Sequence, residues 1–165
     1  MGMDLYGNNP KENKKLSEYP VYGKYRDMNF KVKWEELKEK ELESKYFDEM
    51  GQYEEENPGA YFRNNVWWWR PLWDFCHAVS DVIDDELHDK GHMNDGAGLD
   101  SQDSVRLAVD LETAVHNGAA KEWERRFNTK REKDEAIAYN TYPFSEENVL
   151  EFAKFLSECG GFRIC

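Results

Sequence analysis

The residues best suited to bind a ligand lie in the segment 61–75, YFRNNVWWWRPLWDF, which we call the aromatic segment. Seven of its fifteen residues are aromatic, and it holds four of the six tryptophans of the chain. An aromatic ring can stack on a flat ligand, a guanidinium can pair with a phosphate, and an amide can bind the edge of a base. The segment therefore predicts a binding site for a small anionic ligand of the nucleotide type. The predicted site residues are Tyr61, Arg63, Asn64, Trp67, Trp69 and Arg70.

Packing in a hydrophobic core is the alternative role for these rings. In a helix, Trp67, Trp68 and Trp69 point to three different faces, and in a strand the middle ring points away from its neighbours. One core face cannot take all three, so at least one ring needs a second layer of packing, a partner or a ligand. Under this alternative, Arg63 and Arg70 only form surface pairs with nearby carboxylates.

A second candidate site is a stripe of histidines and aspartates spaced four, three and four residues apart. The stripe consists of His77, Asp81, Asp84 and His88. On one helix these side chains lie within about 60° of one another, and His92 and Asp95 could complete a ligand set for a transition metal. The pattern predicts a metal-dependent hydrolase as an alternative function. Because the stripe lies opposite the apolar face of the helix, we favour ordinary surface pairs and expect no bound metal or other cofactor.

Other catalytic patterns are missing from the sequence. No serine lies in a GxSxG turn, and no HExxH motif is present. The three cysteines, Cys76, Cys159 and Cys165, show no metal-type spacing and are interpreted as reduced thiols of a cytosolic protein. We therefore predict no catalytic residues and favour a non-enzymatic protein.

Five helices are predicted to position these residues, from apolar stripes and capping signals. Their approximate bounds are 29–50, 71–88, 101–116, 119–138 and 145–159. Residues 1–28 are predicted to form turns and short extended pieces, 51–60 a loop, and 162–165 a short strand. The second, third and fifth helices have the cleanest apolar faces and are expected to form the core. The prediction is a mainly α, compact helical domain of about five helices with a minor β element, in which 1–165 is a single domain and 11–58 a variable region with a charged helix.

The predicted length of the second helix decides where a ligand would lie. A helix of about 18 residues spans roughly 27 Å, so its two ends cannot share one small pocket. Its N-terminal end offers free N–H groups and the two arginines, which suit a phosphate. Acidic residues at 84–89 make the other end unfavourable to anions. The site is therefore expected at the N-terminal end.

Charge and hydropathy narrow the class of partner. With 22 basic against 34 acidic residues, the net charge is −12, which disfavours duplex nucleic acid and anionic membranes as partners. No apolar run approaches the ~20 residues of a membrane span, and no signal peptide is expected at the N-terminus. The acidic surface fits a basic protein partner or simply keeps the chain soluble.

Four blocks of the sequence resemble a family of small tailed-phage and prophage proteins that has no established activity. These blocks are MGMDLYGNNP, GAYFRNNVWWWRPLW, NDGAGL and EFAKFLSECGGFRIC, and together they cover about half of the chain. The resemblance implies no catalytic residues, but it does imply a protein located in the cytoplasm of an infected or prophage-carrying host cell.

Taken together, the sequence favours a phage-derived binding protein, with counter-defence as one role, that sequesters a nucleotide-type ligand or blocks a host protein. The alternatives are the metal-dependent hydrolase and an assembly protein of the virion or of a host complex, for which the charged helix near the N-terminus would be a docking arm.

Overall fold

The computed structural model describes residues 2–165 of the chain and divides them into two units. One unit comprises residues 2–11 together with Gly59–Cys165, and the other is the segment Glu12–Pro58. The second unit is therefore an insertion in the sequence of the first. Its bounds nearly coincide with the region 11–58 that the sequence predicts to be variable. Among the described residues, no helix combines the length and the apolar character that crossing a bilayer requires.

The described residues form a mainly α structure with one small antiparallel sheet. The α-helices, nine within residues 2–165, are α1 (Pro20–Tyr25), α2 (Phe30–Glu39), α3 (Glu43–Glu56), α4 (Val66–Val79), α5 (Asp85–Lys90), α6 (Ser101–His116), α7 (Ala119–Lys133), α8 (Glu135–Asn140) and α9 (Glu146–Glu158). The strands are β1 (Gly2–Gly7), β2 (Tyr61–Asn65) and β3 (Phe162–Ile164). The mainly α class with a minor β element is confirmed, whereas the predicted number of five helices is too low.

Three of the predicted helices are each broken into two, and the break in the second of them, between α4 and α5, is described with the candidate site. The helix predicted over 29–50 ends in a turn at Glu41, whose φ of 54° is left-handed and which closes α2 before α3 begins. Helix α3 then continues to Glu56, so that most of the predicted loop 51–60 is helical. The helix predicted over 119–138 ends at Lys133, and Asp134 caps α8 by accepting hydrogen bonds from the next turn.

The sheet has β1 as its central strand, between β2 and β3, with both pairs antiparallel. Met3 and Leu5 of β1 are buried, as the two-residue period of a strand requires for one face on a core. The loop 94–99 runs beside β3, where Gly96 and Ala97 exchange backbone hydrogen bonds with Ile164. A Cβ atom on Gly98 would lie 1.8 Å from the carbonyl oxygen of Phe162, so this close approach requires glycine.

Helices α4, α6 and α9 provide most of the core of the first unit, as predicted. Their buried apolar residues belong to one cluster with those of β1 and β3. Helix α9 begins after the predicted cap, where Ser145 accepts a hydrogen bond from the backbone of Asn148. Helix α6 ends at His116, and Asn117 is its C-cap, followed by Gly118. The cluster holds Cys76 and Cys159, whose thiols are buried, and burial raises the pKa of both.

The second unit is built around tyrosine rings and one buried carboxylate. Tyr22 and Tyr53 are both buried and pack with ring centroids 5.4 Å apart. Glu49 of α3 is 7% exposed, and its carboxylate accepts hydrogen bonds from the backbone N–H groups of Val21 and Tyr22 at 2.7 and 2.8 Å. These groups lie in the first turn of α1 and have no partner within that helix, so Glu49 fixes α1 onto α3.

We expect the substitution Gly51→Ala to stabilise the second unit. Gly51 lies inside α3, and a Cβ atom added there meets nothing within 4 Å. Because glycine loses more backbone entropy in a helix than alanine does, the free energy of unfolding should rise by about 0.5–1 kcal/mol. Urea denaturation followed by circular dichroism measures this change. A lower urea midpoint would show that the packing around α3 is different.

Candidate functional site

The aromatic segment divides between strand β2 and about the first three turns of α4. Helix α4 begins at Val66, five residues before its predicted start, because the side chain of Asn65 caps it by accepting a hydrogen bond from the N–H of Trp67 at 2.9 Å. The three consecutive tryptophans are therefore helical and lie on three faces. Trp69 is fully buried, Trp68 is half-buried, and Trp67 is 39% exposed.

Proline inside α4 creates a binding point for a distant loop. Pro71 has no N–H group, so the carbonyl of Trp67, four residues earlier, loses its helical partner. The N–H of Tyr142 donates to this carbonyl at 2.9 Å. The Tyr142 ring then contacts both Trp67 and Trp68, with ring centroids 5.5 Å apart in each case. The loop before α9 is thus held against the outer face of α4.

The arrangement of α4 and α9 leaves an open cleft of about 290 Å³, which we call the Trp68 cleft. Its lining residues are Asn64, Trp68, Ser145, Glu147, Asn148 and Glu151. The side-chain amide of Asn64, at the end of β2, donates to the side-chain carbonyl of Asn148 at 3.0 Å and so joins the two sides. Asn64 is 7% exposed, and it is the one predicted site residue that lines this cleft.

The charge of the Trp68 cleft is negative. Glu147 and Glu151 lie one turn apart on α9 and are both exposed. The N-terminus of α9 contributes only about half a positive charge, which two full carboxylates outweigh. An anionic ligand is therefore disfavoured here, and a cationic group is favoured.

Tyr61 and Arg63 lie on the other face of β2, where they both contact Asp4 of β1. The hydroxyl of Tyr61 donates to the carboxylate of Asp4, and burial together with this hydrogen bond raises the pKa of Tyr61. The guanidinium of Arg63 lies 3.4 Å from the same carboxylate. Asp4 thus provides Arg63 with the carboxylate partner that the surface-pair alternative anticipates.

The remaining predicted residues point in further directions. The indole of Trp69 stacks on that of Trp73 inside the core, with centroids 5.0 Å apart. The guanidinium of Arg70 donates to the carbonyl of Asn140 at 2.9 Å. The six predicted residues therefore do not line one pocket, because the alternation of β2 and the helical turn of α4 direct them to different surfaces.

The predicted histidine–aspartate stripe does not lie on one helix. Helix α4 ends at Val79, and the side chain of Asp84 caps the short helix α5 by accepting a hydrogen bond from Leu87. Asp81 pairs with Arg106, and Asp95 closes a turn with Ala97. The inference from a single 18-residue helix was therefore wrong, because the chain reverses after residue 79 and returns alongside α4.

This reversal brings together histidines that are distant in sequence. The rings of His77 on α4 and His88 on α5 stack with centroids 4.4 Å apart, and the ring of His92 lies against His88 at 4.9 Å. Asp74 of α4 lies between His88 and His92. Burial tends to raise the pKa of the Asp74 carboxyl, but the nearby rings of His92 and His88 outweigh it and lower the pKa. Asp74 is therefore ionised at neutral pH.

Sequence reasoning missed several residues of the Trp68 cleft and of the group formed by Asp74 and the histidines. Trp68 was not separated from its neighbours, although the three-face argument required one ring to pack outside the core. The signals for the far side of the cleft were present in the acidic first turn after Ser145. Asp74 lies three residues before His77, a spacing that places both on one face of α4.

Comparison with protein-family models, with curated proteins and with solved structures finds no match for this chain.

Proposed function

We propose that the protein is a non-enzymatic binding protein of phage type that blocks a host protein by accepting one of its basic side chains in the Trp68 cleft. The observation that carries this proposal is the composition of the cleft. It combines one aromatic ring, two amides and two carboxylates around about 290 Å³. A guanidinium or ammonium group is the ligand that can use all three kinds of contact.

Each contact in the cleft favours a cation for a separate reason. The half-buried ring of Trp68 attracts a positive charge placed over its face. The carboxylates of Glu147 and Glu151 provide acceptors for N–H donors, and the fork of an arginine can bind one of them through two hydrogen bonds. The net charge of −12 adds a long-range attraction for a basic partner and speeds its association.

Of the two targets that the sequence suggests, we retain the host protein and no longer propose a nucleotide-type ligand. Arg63 and Arg70, the cations expected to bind a phosphate, are occupied by Asp4 and by the carbonyl of Asn140. The phage context suggested by the four sequence blocks makes a host protein the natural target. The proposed place of action is accordingly the host cytoplasm.

The variant Glu147→Gln/Glu151→Gln tests the proposal. We expect it to weaken the binding of the peptide Ac-Gly-Arg-Gly-NH2 by about 5- to 10-fold, since each exposed ion pair contributes about 0–1 kcal/mol. Tryptophan fluorescence titration measures the affinity. The same peptide with citrulline in place of arginine keeps the shape but not the charge. Its affinity for the unmodified protein should be no higher than the affinity of the double variant for the arginine peptide.

A matched control distinguishes the effect of the cleft carboxylates on peptide binding from the effect of the overall negative charge. Glu112→Gln/Glu132→Gln removes two carboxylates that are exposed on other helices and do not line the cleft. This control should bind the arginine peptide as the unmodified protein does. Equal weakening in both double variants would show a general charge effect, and saturable binding of ATP with no response to arginine would contradict the proposal.

A further inference from the structure

Asp74, His88 and His92 form a cluster whose polar atoms point at one another, which we call the His–Asp cluster. The Oδ1 atom of Asp74 lies 2.8 Å from Nε2 of His88 and 3.5 Å from Nε2 of His92. One potential ligand atom from each of the three residues lies within 4.8 Å of the other two. This cluster is separate from the Trp68 cleft and plays no part in the function proposed above.

The backbone that carries the two histidines is held in place by buried tryptophans. The indole N–H of Trp73 donates to the carbonyl of His88 at 3.0 Å, and that of Trp69 donates to the carbonyl of Gly91 at 2.7 Å. Both indoles are fully buried and stack on each other. Since Asp74 is the next residue after Trp73 on α4, one rigid unit positions all three members of the cluster. Such preorganisation is what a metal site requires from its supporting residues.

The two distances from Asp74 are close to the spacing of ligand atoms around a metal ion. A tetrahedral ion with bonds of about 2.0–2.1 Å to nitrogen and oxygen places its ligand atoms about 3.3 Å apart. The observed 2.8 and 3.5 Å lie on either side of this value. The third pair of ligand atoms, on His88 and His92, lies within 4.8 Å, so side-chain movements on the order of 1 Å would bring all three to the spacing that an ion needs.

His92 also lacks good partners without an ion. Its Nδ1 atom is buried and has no hydrogen-bond partner within residues 2–165. Its Nε2 atom has only the long contact of 3.5 Å with Asp74, which is beyond the normal range of a hydrogen bond. An ion bound at Nε2 would replace this long contact with a strong interaction.

We propose that Asp74, His88 and His92 bind one divalent transition metal ion of the zinc class. Two imidazoles with one carboxylate suit zinc, cobalt, nickel or iron, whereas calcium and magnesium prefer sites made only of oxygen atoms. The side chains of Asp74, His88 and His92 are 46%, 23% and 27% exposed, so solvent reaches the ion from one side. Three protein ligands then leave an open coordination position, which distinguishes this site from a closed structural one.

Metal binding by the full-length protein tests this site directly. After dialysis against a chelator and its removal, titration with zinc chloride should show one ion bound per chain. Each of the variants Asp74→Asn, His88→Gln and His92→Gln should weaken zinc binding by about 100-fold, since even the loss of a supporting residue costs about 10- to 100-fold. Isothermal titration calorimetry measures the affinity, and the visible absorption of the cobalt form reports nitrogen and oxygen ligands.

The fourth histidine of the chain provides the control. His116 ends α6, is exposed and lies outside the cluster, so His116→Gln should bind zinc as the unmodified protein does. Zinc should also raise the melting temperature of the unmodified protein and of His116→Gln, but not that of a folded His88→Gln variant. Equal binding by His88→Gln and His116→Gln, or no saturable binding of zinc or cobalt by the unmodified protein, would overturn the proposal.

Discussion

Replacing Trp69 by alanine is expected to lower the free energy of unfolding by about 3–5 kcal/mol. The ring is fully buried, stacks on Trp73 and packs edge-on against Phe152 with centroids 5.5 Å apart. Its removal leaves a large cavity, and it leaves the carbonyl of Gly91 without its donor. This loss is a large part of the 5–15 kcal/mol that stabilises a typical domain. Urea denaturation followed by circular dichroism measures it.

The same substitution at Trp67 tests whether the loss of stability depends on the face of α4 to which the ring points. Trp67→Ala should cost only about 1 kcal/mol, because that ring is 39% exposed and its main contact is the ring of Tyr142. If Trp69→Ala does not fold, Trp69→Phe provides the measurement, with an expected loss of about 1–2 kcal/mol from the missing donor and the smaller ring. Equal losses at positions 67 and 69 would contradict the assignment of the three rings to three faces.

Replacing Gly91 by alanine should destabilise the protein by about 3 kcal/mol and disturb the His–Asp cluster. A Cβ atom at this position would lie 2.1 Å from Nε1 of Trp73 and 2.3 Å from its Cε2. Trp73 is fully buried, so its ring cannot move aside without disturbing the core. The φ of Gly91 is −64°, an ordinary value for any residue, so the effect is steric. Calorimetric unfolding measures the loss of stability.

Comparison of Gly91→Ala with Gly51→Ala distinguishes the steric effect on the Trp73 ring from the general effect of replacing a glycine by alanine. In Gly91→Ala, the displaced indole of Trp73 can no longer hold the carbonyl of His88, so zinc affinity should fall by about tenfold. Gly51→Ala, which meets open space, should stabilise the chain and leave zinc binding unchanged. A Gly91→Ala protein as stable as the unmodified one would show that Trp73 does not approach residue 91 as described.

Local signals in the sequence were sufficient where one helix had clear ends. Ser145 marks the start of α9, and Asn117 with Gly118 marks the end of α6. The second predicted helix failed because its apolar spacing continues past its true end. Val79 and Ile83 keep the helical period and both pack in or against the core, but Ile83 does so from the turn between α4 and α5. A periodic pattern reports burial and does not by itself distinguish a continuous helix from a helix followed by a turn.

The candidate site was less accessible to sequence reasoning because its parts are distant along the chain. Asn64 and Asn148 are 84 residues apart, and no local pattern pairs them. The sequence shows an unusual density of tryptophans, but these residues have different roles in the structure. Trp68 lines the cleft, whereas Trp69 and Trp73 donate hydrogen bonds to the backbone of Gly91 and His88. The role of each ring depends on its tertiary contacts, which the local sequence does not reveal.

The proposed blocking of a basic side chain is tested most directly by the indole N–H signals of the six tryptophans in a proton–nitrogen NMR spectrum. Tryptophan-to-phenylalanine variants assign the signals. Titration with Ac-Gly-Arg-Gly-NH2 should shift the Trp68 signal saturably and leave those of the buried Trp69 and Trp73 in place, while the citrulline peptide and ATP should leave Trp68 unchanged. A Trp68 signal that does not respond to arginine, or one that responds equally to citrulline or to ATP, would contradict the proposed function.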